Sequence, residues 1–275
     1  MDVIIKGTGE GNMKKVVLLL FVFITLAQAE VKDKFKISLG VMKVVNFETE
    51  MQVAPKHAPV GVRINTKDQL RMKNDTSVFR LDGYYRFNET HSIDFSYFSV
   101  NSDGFIDLGN IEFNDNEITG NIYSYFDMDI YKINYAYSFY HNDKVELALT
   151  VGLHITAVKL GIAAYGIING QPNSSYKSDT SVTVPLPVVG FKGEYRINKK
   201  LFVSYKTDYL YLEFDDYKGA LVTSALNFEY RFVDNFGMGV GYNVNKIRVE
   251  ANGDNARADV LNTLSGAVLY FSYIY

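Results

Sequence analysis

Cysteine and tryptophan are both absent from the 275-residue chain. Without cysteine there are no disulfide staples and no thiolate metal sites. Charge of either sign is nearly balanced: 28 basic against 31 acidic residues leave a formal net charge of -3. A strong basic field, the mark of a nucleic-acid partner, is therefore excluded. Beyond residue 29 no apolar run approaches the roughly 20 residues that a membrane-spanning helix needs. Dinucleotide, phosphate-loop and zinc motifs are lacking as well, so neither a cofactor nor a metal is expected. What is present in excess is aromatic: 21 Tyr and 19 Phe, beside an ordinary 21% of charged residues. Soluble domains rarely use so many tyrosines, whereas a barrel with aromatic girdles at two membrane interfaces does.

The N-terminal stretch reads as an export signal. Lys14 and Lys15 precede the apolar run VVLLLFVFITL, which ends at Ala27-Gln28-Ala29 before Glu30. A basic n-region, a short h-region and an A-x-A site match a secretory signal peptide. The expected organisation is an extension plus signal over residues 1–29, with Met13 as the expected start, and a single domain over residues 30–275.

After residue 33 the chain alternates. Phe35, Ile37, Leu39 and Val41 share one face, with Lys36, Ser38 and Gly40 between them. The pattern recurs at 92–100, 131–140, 201–212 and 236–244, and period two means strands with one apolar and one polar face. No segment has a helical period. Short polar turns follow aromatic strand ends at NET (88–90), HND (141–143), NKK (198–200) and VDN (233–235), and three of the four are preceded by Tyr-Arg-apolar. The opposite connections, 49–76, 101–120, 165–179 and 251–258, read as longer and more variable loops, with a tight DDYKG at 215–219. Strands are expected near 34–48, 77–87, 91–101, 121–140, 145–164, 180–197, 201–214, 219–232, 236–250 and 259–275. The fold class is all-β: a closed antiparallel up-and-down transmembrane barrel of about ten strands, with eight or twelve also open. Pro185 and Pro187 fall within a strand and mark a bulge or its outer end, because proline cannot donate to the ladder.

The chain ends AVLYFSYIY, with Leu269, Phe271, Tyr273 and the terminal Tyr275 on one face. Here it resembles Gram-negative outer-membrane barrels, whose last strand alternates apolar residues and ends in an aromatic. The resemblance implies outer-membrane localisation with both termini in the periplasm. It implies contact with outer-membrane lipids and lipopolysaccharide, and reading of the last strand by the barrel assembly machinery.

Parity places the charges. With Tyr131, Ile133, Tyr135, Tyr137 and Phe139 outward, Lys132, Asn134, Ala136 and Ser138 point inward. The same rule sends Arg80, Asp82, Arg86, Asp94, Glu146, His154, Lys192, Glu194, Arg196, Lys206, Asp208, Glu229 and Arg231 into the lumen, since charges face hydrocarbon only at high cost. Both signs interleave, often two residues apart, so a salt-bridged plug is expected, with a narrow pore as the alternative. Glycines 237, 239 and 241 are expected to leave room beside the Arg and Lys side chains.

Catalytic arrangements are weaker. His154 and Thr156 resemble the His-x-Ser pair of barrel enzymes that trim lipid A, but with Thr for Ser and facing inward. Glu146 shares that face, roughly 26 Å along the strand. Asp127, Asp129, Asp215, Asp216 and His57 match the residue types of ten-stranded surface proteases, without a spacing that assembles them. The expected function is a non-enzymatic barrel with a structural or surface-interaction role. A small-solute channel or a surface hydrolase stands as the alternative.

Overall fold

The computed structural model describes residues 33–55, 62–66, 77–113, 116–168, 171–214, 216–252 and 256–275. The expected signal peptide lies outside them, as do His57 and Asp215. Every regular element described is a strand: β1 (Phe35–Pro55), β2 (Val62–Asn65), β3 (Ser77–Arg86), β4 (His91–Phe113), β5 (Asn116–His141), β6 (Val145–Ile168), β7 (Gln171–Arg196), β8 (Leu201–Phe214), β9 (Tyr217–Val233), β10 (Phe236–Asn252) and β11 (Ala256–Ile274). Ten of them pair antiparallel with their chain neighbours, and β11 returns to pair with β1 from Lys36–Ile274 to Pro55–Ala256. The ring is closed. The short β2 lies outside it, folded back on Glu50 to Val53 of β1.

The turns at one end share a mechanism. In three of them an asparagine side chain accepts two backbone N–H bonds: Asn88 from Thr90 and His91, Asn142 from Lys144 and Val145, Asn198 from Lys200 and Leu201. This is the Asx turn, in which a short amide replaces the backbone acceptor and closes the loop in a few residues. The fourth turn is tighter, with Val233 facing Phe236 across two residues.

Apolar side chains cover the outside. On β5 the outward row Tyr131, Ile133, Tyr135, Tyr137 and Phe139 is exposed throughout. Nine tilted residues make a band roughly 20 Å tall, close to the ~25 Å apolar band of membrane barrels. Leu149, Val151, Leu153, Phe228, Val240, Leu269 and Phe271 carry the band around the ring. In water so large an apolar surface would drive aggregation; against hydrocarbon it costs nothing. On β8 and β9 the band ends at Glu213 and Lys218, which pair at 2.6 Å. The hydrogen bond from Lys218 holds the Glu213 carboxyl below its ordinary pKa.

Three expectations need correction. The stretches 101–120 and 165–179, read as loops, lie largely in strands: β4 pairs with β5 up to Phe113–Asn116, and β6 with β7 up to Ile168–Gln171. Residues 49–55 likewise continue β1. In 101–120 the cause is polarity on the outer face, as at Asp103, and this inversion above the band also runs through the neighbouring parts of β4, β5 and β6 that were expected as strands. There Asp103, Asp127, Asp129 and Lys159 face outward, while Val100, Phe126 and Met128 face inward and are buried. Polar outward residues mimic a loop when they are in fact the wet face of a wall. Second, Pro185 and Pro187 sit inside β7 with no bulge, facing Ile155 and Leu153 of β6 in unbroken register. Third, the room over the β10 glycines is not left for Arg and Lys alone. A Cβ on Gly239 would strike the Tyr270 ring and one on Gly241 the Asn227 amide, while Gly237 lies against Ser272 and Arg231.

Candidate functional site

The interior has two storeys. In the lower one, charged side chains meet across the lumen. Arg86 of β3 grips Glu146 of β6 with two hydrogen bonds, 2.6 and 3.0 Å, and Ser138 donates to the same carboxylate at 2.5 Å. Asp94 of β4 accepts from Lys192 of β7 at 3.1 Å and Lys206 of β8 at 2.6 Å. Lys132 of β5 pairs with Asp208 of β8, which also accepts from Asn134 and Thr223. Lys36 of β1 reaches Glu229 of β9 at 2.5 Å, and Arg231 joins Glu229 to Asp33. Asp94 and Lys206 stand four strands apart in a ring of ten, so their bond runs nearly across a diameter.

Aromatic rings insulate these ties. Lys192, whose side chain is 2% exposed, lies 4.6 Å from the centre of the Tyr84 ring. The Arg231 guanidinium sits 3.8 Å from the centre of the Phe202 ring. Attraction to the negative face of the ring offsets part of the hydration that a buried cation has lost. Among the described residues, two small cavities lie between the ties. The upper is bounded by Asp94, Lys132, Thr150, Asp208 and Asn245, the lower by Lys36, Tyr84, Glu194, Asn227 and Tyr270, and Lys192 and Lys206 border both.

The upper storey is apolar. Met42, Val44, Phe47, Phe98, Val100, Phe126, Met128 and Leu264 form one buried cluster joining β1, β4, β5 and β11. Phe47 and Phe126 meet edge to face, 5.2 Å between ring centres, and tie β1 to β5 on one side of the ring.

Interleaving along a strand proves a poor guide to pairing. Arg80 with Asp82, at 2.5 and 2.8 Å, and Arg231 with Glu229 pair within a strand as the spacing suggests. Lys192, Lys206 and Asp208 instead find partners across the lumen. Side chains two apart on a strand run parallel, whereas a lysine can extend to the far wall. Glu194 and Arg196 point inward half-buried, with Arg196 over Phe202. His154 is fully buried on β6, and neither ring nitrogen has a protein partner. Parity already places Asn134 and Ser138 inside, though without partners; Lys36 was left out of the expected lumen set although it lies on the polar face of β1. Sequence reasoning also missed the apolar storey, whose signal was apolar residues at inward positions of β4 and β5.

The acidic residues of the protease-like set are dispersed. Asp127 and Asp129 face outward, toward Asn101 and Tyr97, and Asp216 is exposed in the β8–β9 turn. Of the described histidines, His91 stacks on Tyr135 at the Asx-turn end, His141 lies at the same end beside Glu146, and His154 is mid-wall. Among the described residues no group of three or more His, Asp or Glu is arranged to hold a metal ion.

A closed ten-strand ring with an apolar outside, Asx-turned hairpins at one end and tall walls at the other is the fold of Gram-negative outer-membrane barrels. The outer membrane protease OmpT from Escherichia coli is similar with a TM-score of 0.59 at 13% identity, covering 91% of this chain and 100% of that one. OprG, an outer membrane protein from Pseudomonas aeruginosa, matches at a TM-score of 0.37 and 12% identity over 88% of this chain and 96% of its own. Residues 71–265 match the family model DUF481, described as a protein of unknown function, and the chain belongs to that family. No curated protein matches it.

Proposed function

We propose that this protein is a non-enzymatic outer-membrane barrel with a closed lumen, working through the walls it raises outside the cell. The carrying observation is Asp94, bonded at once to Lys192 and Lys206 from the far side of the ring. An ion pair spanning the lumen blocks the path that a solute would take. The apolar cluster above it, with Phe47 against Phe126, packs the β11–β1–β5 side of the upper barrel. In this reading the chain is exported by the residue 1–29 signal, and both termini and the Asx turns lie in the periplasm. The row Leu269, Phe271, Tyr273 and Tyr275 is read by the assembly machinery, and lipid and lipopolysaccharide contact the band. The two small cavities favour the alternative, a narrow diffusion channel. Liposome swelling separates the two: purified protein in vesicles should admit small sugars no faster than protein-free vesicles, and swelling that scales with protein content would establish the channel instead.

A further inference from the structure

Every neighbouring pair of strands in the ring is joined, but the β7–β8 seam is joined only in its lower half. β7 and β8 pair from Arg196–Phe202 up to Val189–Tyr209 and no further, although β7 continues to Gln171 and β8 to Phe214. Pro185 and Pro187 account for the stop. Their unbroken register with β6 puts them at positions that do not donate to β6, so their nitrogens lie on the β8 side. A proline nitrogen carries no hydrogen. Two successive donors that β7 would offer β8 are therefore missing, and the ladder ends at the next residue of that parity, Val189. A notch opens in the wall above Val189 and Tyr209.

The inner faces at this notch are apolar and, among the described residues, uncovered. Val182, Val184 and Leu212 all have inward parity yet are 55%, 39% and 52% exposed. Leu212 faces Gly219 in register, Gly219 faces Val249, and a Cβ built on Gly219 would meet nothing within 4 Å. The wall formed by β1, β4 and β5 is packed tight at Phe47 and Phe126. Outside the apex stand Val189, Tyr209 and Tyr211, exposed members of the apolar band. The apolar inner surface thus runs through the notch into the band, and the first outward charge on β8 is Glu213.

We propose that one acyl chain of an outer-leaflet lipid enters through this notch and lies against Val182, Val184 and Leu212 in the open space over Gly219. The inference rests on the membrane placement proposed above. Continuity with the band selects a lipid chain over a solute arriving from water. A peptide strand, the other occupant that an open sheet edge invites, loses two donors to the prolines. Buried Leu221 and the charged ties close the floor, so the notch is a berth and not a passage.

The absence of tryptophan makes the test direct, since each introduced indole is the sole reporter. Leu212→Trp and Val184→Trp are prepared in the full barrel, beside the band control Leu269→Trp, in vesicles of phospholipid with brominated acyl chains. Both notch reporters should be quenched to at least about half the extent of the control. Adding Gly219→Leu, which fills the space, should reduce quenching at Val184→Trp by about half or more. If the control is quenched but both notch reporters respond only to aqueous iodide, the notch holds water and the proposal fails while the membrane reading stands. An unquenched control overturns both. Quenching at Val184→Trp that Gly219→Leu leaves unchanged puts the lipid outside the notch and also overturns the proposal.

Discussion

Replacing Asp94 with asparagine keeps the size of the side chain and removes its charge. Two lysines then lose their counter-ion. Lys192 matters more, because its side chain is 2% exposed and enclosed by Tyr84, whereas that of Lys206 is 38% exposed and partly served by solvent. Breaking a buried pair by deleting one partner costs about 3–5 kcal/mol, while an exposed pair is worth about 0–1 kcal/mol. The Lys192 contribution dominates, so Asp94→Asn should destabilise the barrel by about 3 kcal/mol or more. Urea unfolding in vesicles, followed by tyrosine fluorescence, measures this. The double variant Asp94→Asn/Lys192→Met should recover most of the loss, since it removes the stranded cation as well as the anion. A single variant within about 1 kcal/mol of the parent would refute the reasoning. So would a double variant no better than the single, because the loss would then come from packing and not from charge.

Other expectations can be checked separately. Tyr275→Asp should impair insertion while leaving export intact, because the last strand must close on β1 to bury its edge groups; normal amounts in the outer-membrane fraction would count against it. Single cysteines at Glu89 and Lys199 should resist a membrane-impermeant maleimide on intact cells, whereas cysteines at Val60, Asn110 and Asp254 should react; the reverse pattern would invert the topology. N-terminal sequencing of the mature protein should begin at Glu30, and a start before residue 29 would remove the proposed cleavage site.

The ring strands were legible because lipid outside and charge inside impose a strict two-residue period on every strand within the band. Tyr131 to Phe139 against Lys132 to Ser138 shows it most plainly. Above the band that contrast reverses. Asp127 and Asp129 take the outer face while Phe126 and Met128 take the inner; the strand expected over 121–140 survives this, but the polar outward Asp103 in 101–120 reads as loop where β4 continues. The inward location of the charges followed from parity alone, but their partners did not. Asp94 and Lys206 are 112 residues apart, and nothing local encodes which wall faces which. Ring closure and strand tilt decide that, through the register between neighbours. The notch was half visible: Pro185 and Pro187 announced a broken ladder, but only the register with β6 shows that the break faces β8.

Single-channel recording of the purified barrel in a planar bilayer addresses the closed lumen most directly. If the pairs joining Asp94, Lys192, Lys206, Lys132 and Asp208 fill the cross-section, wild-type protein should give no steady conductance steps above the bare bilayer. Asp94→Asn should produce at most brief, flickering openings as its ties loosen. Steady ohmic openings of the wild-type barrel, unaltered by Asp94→Asn, would show that ions pass beside these residues and that the lumen is open.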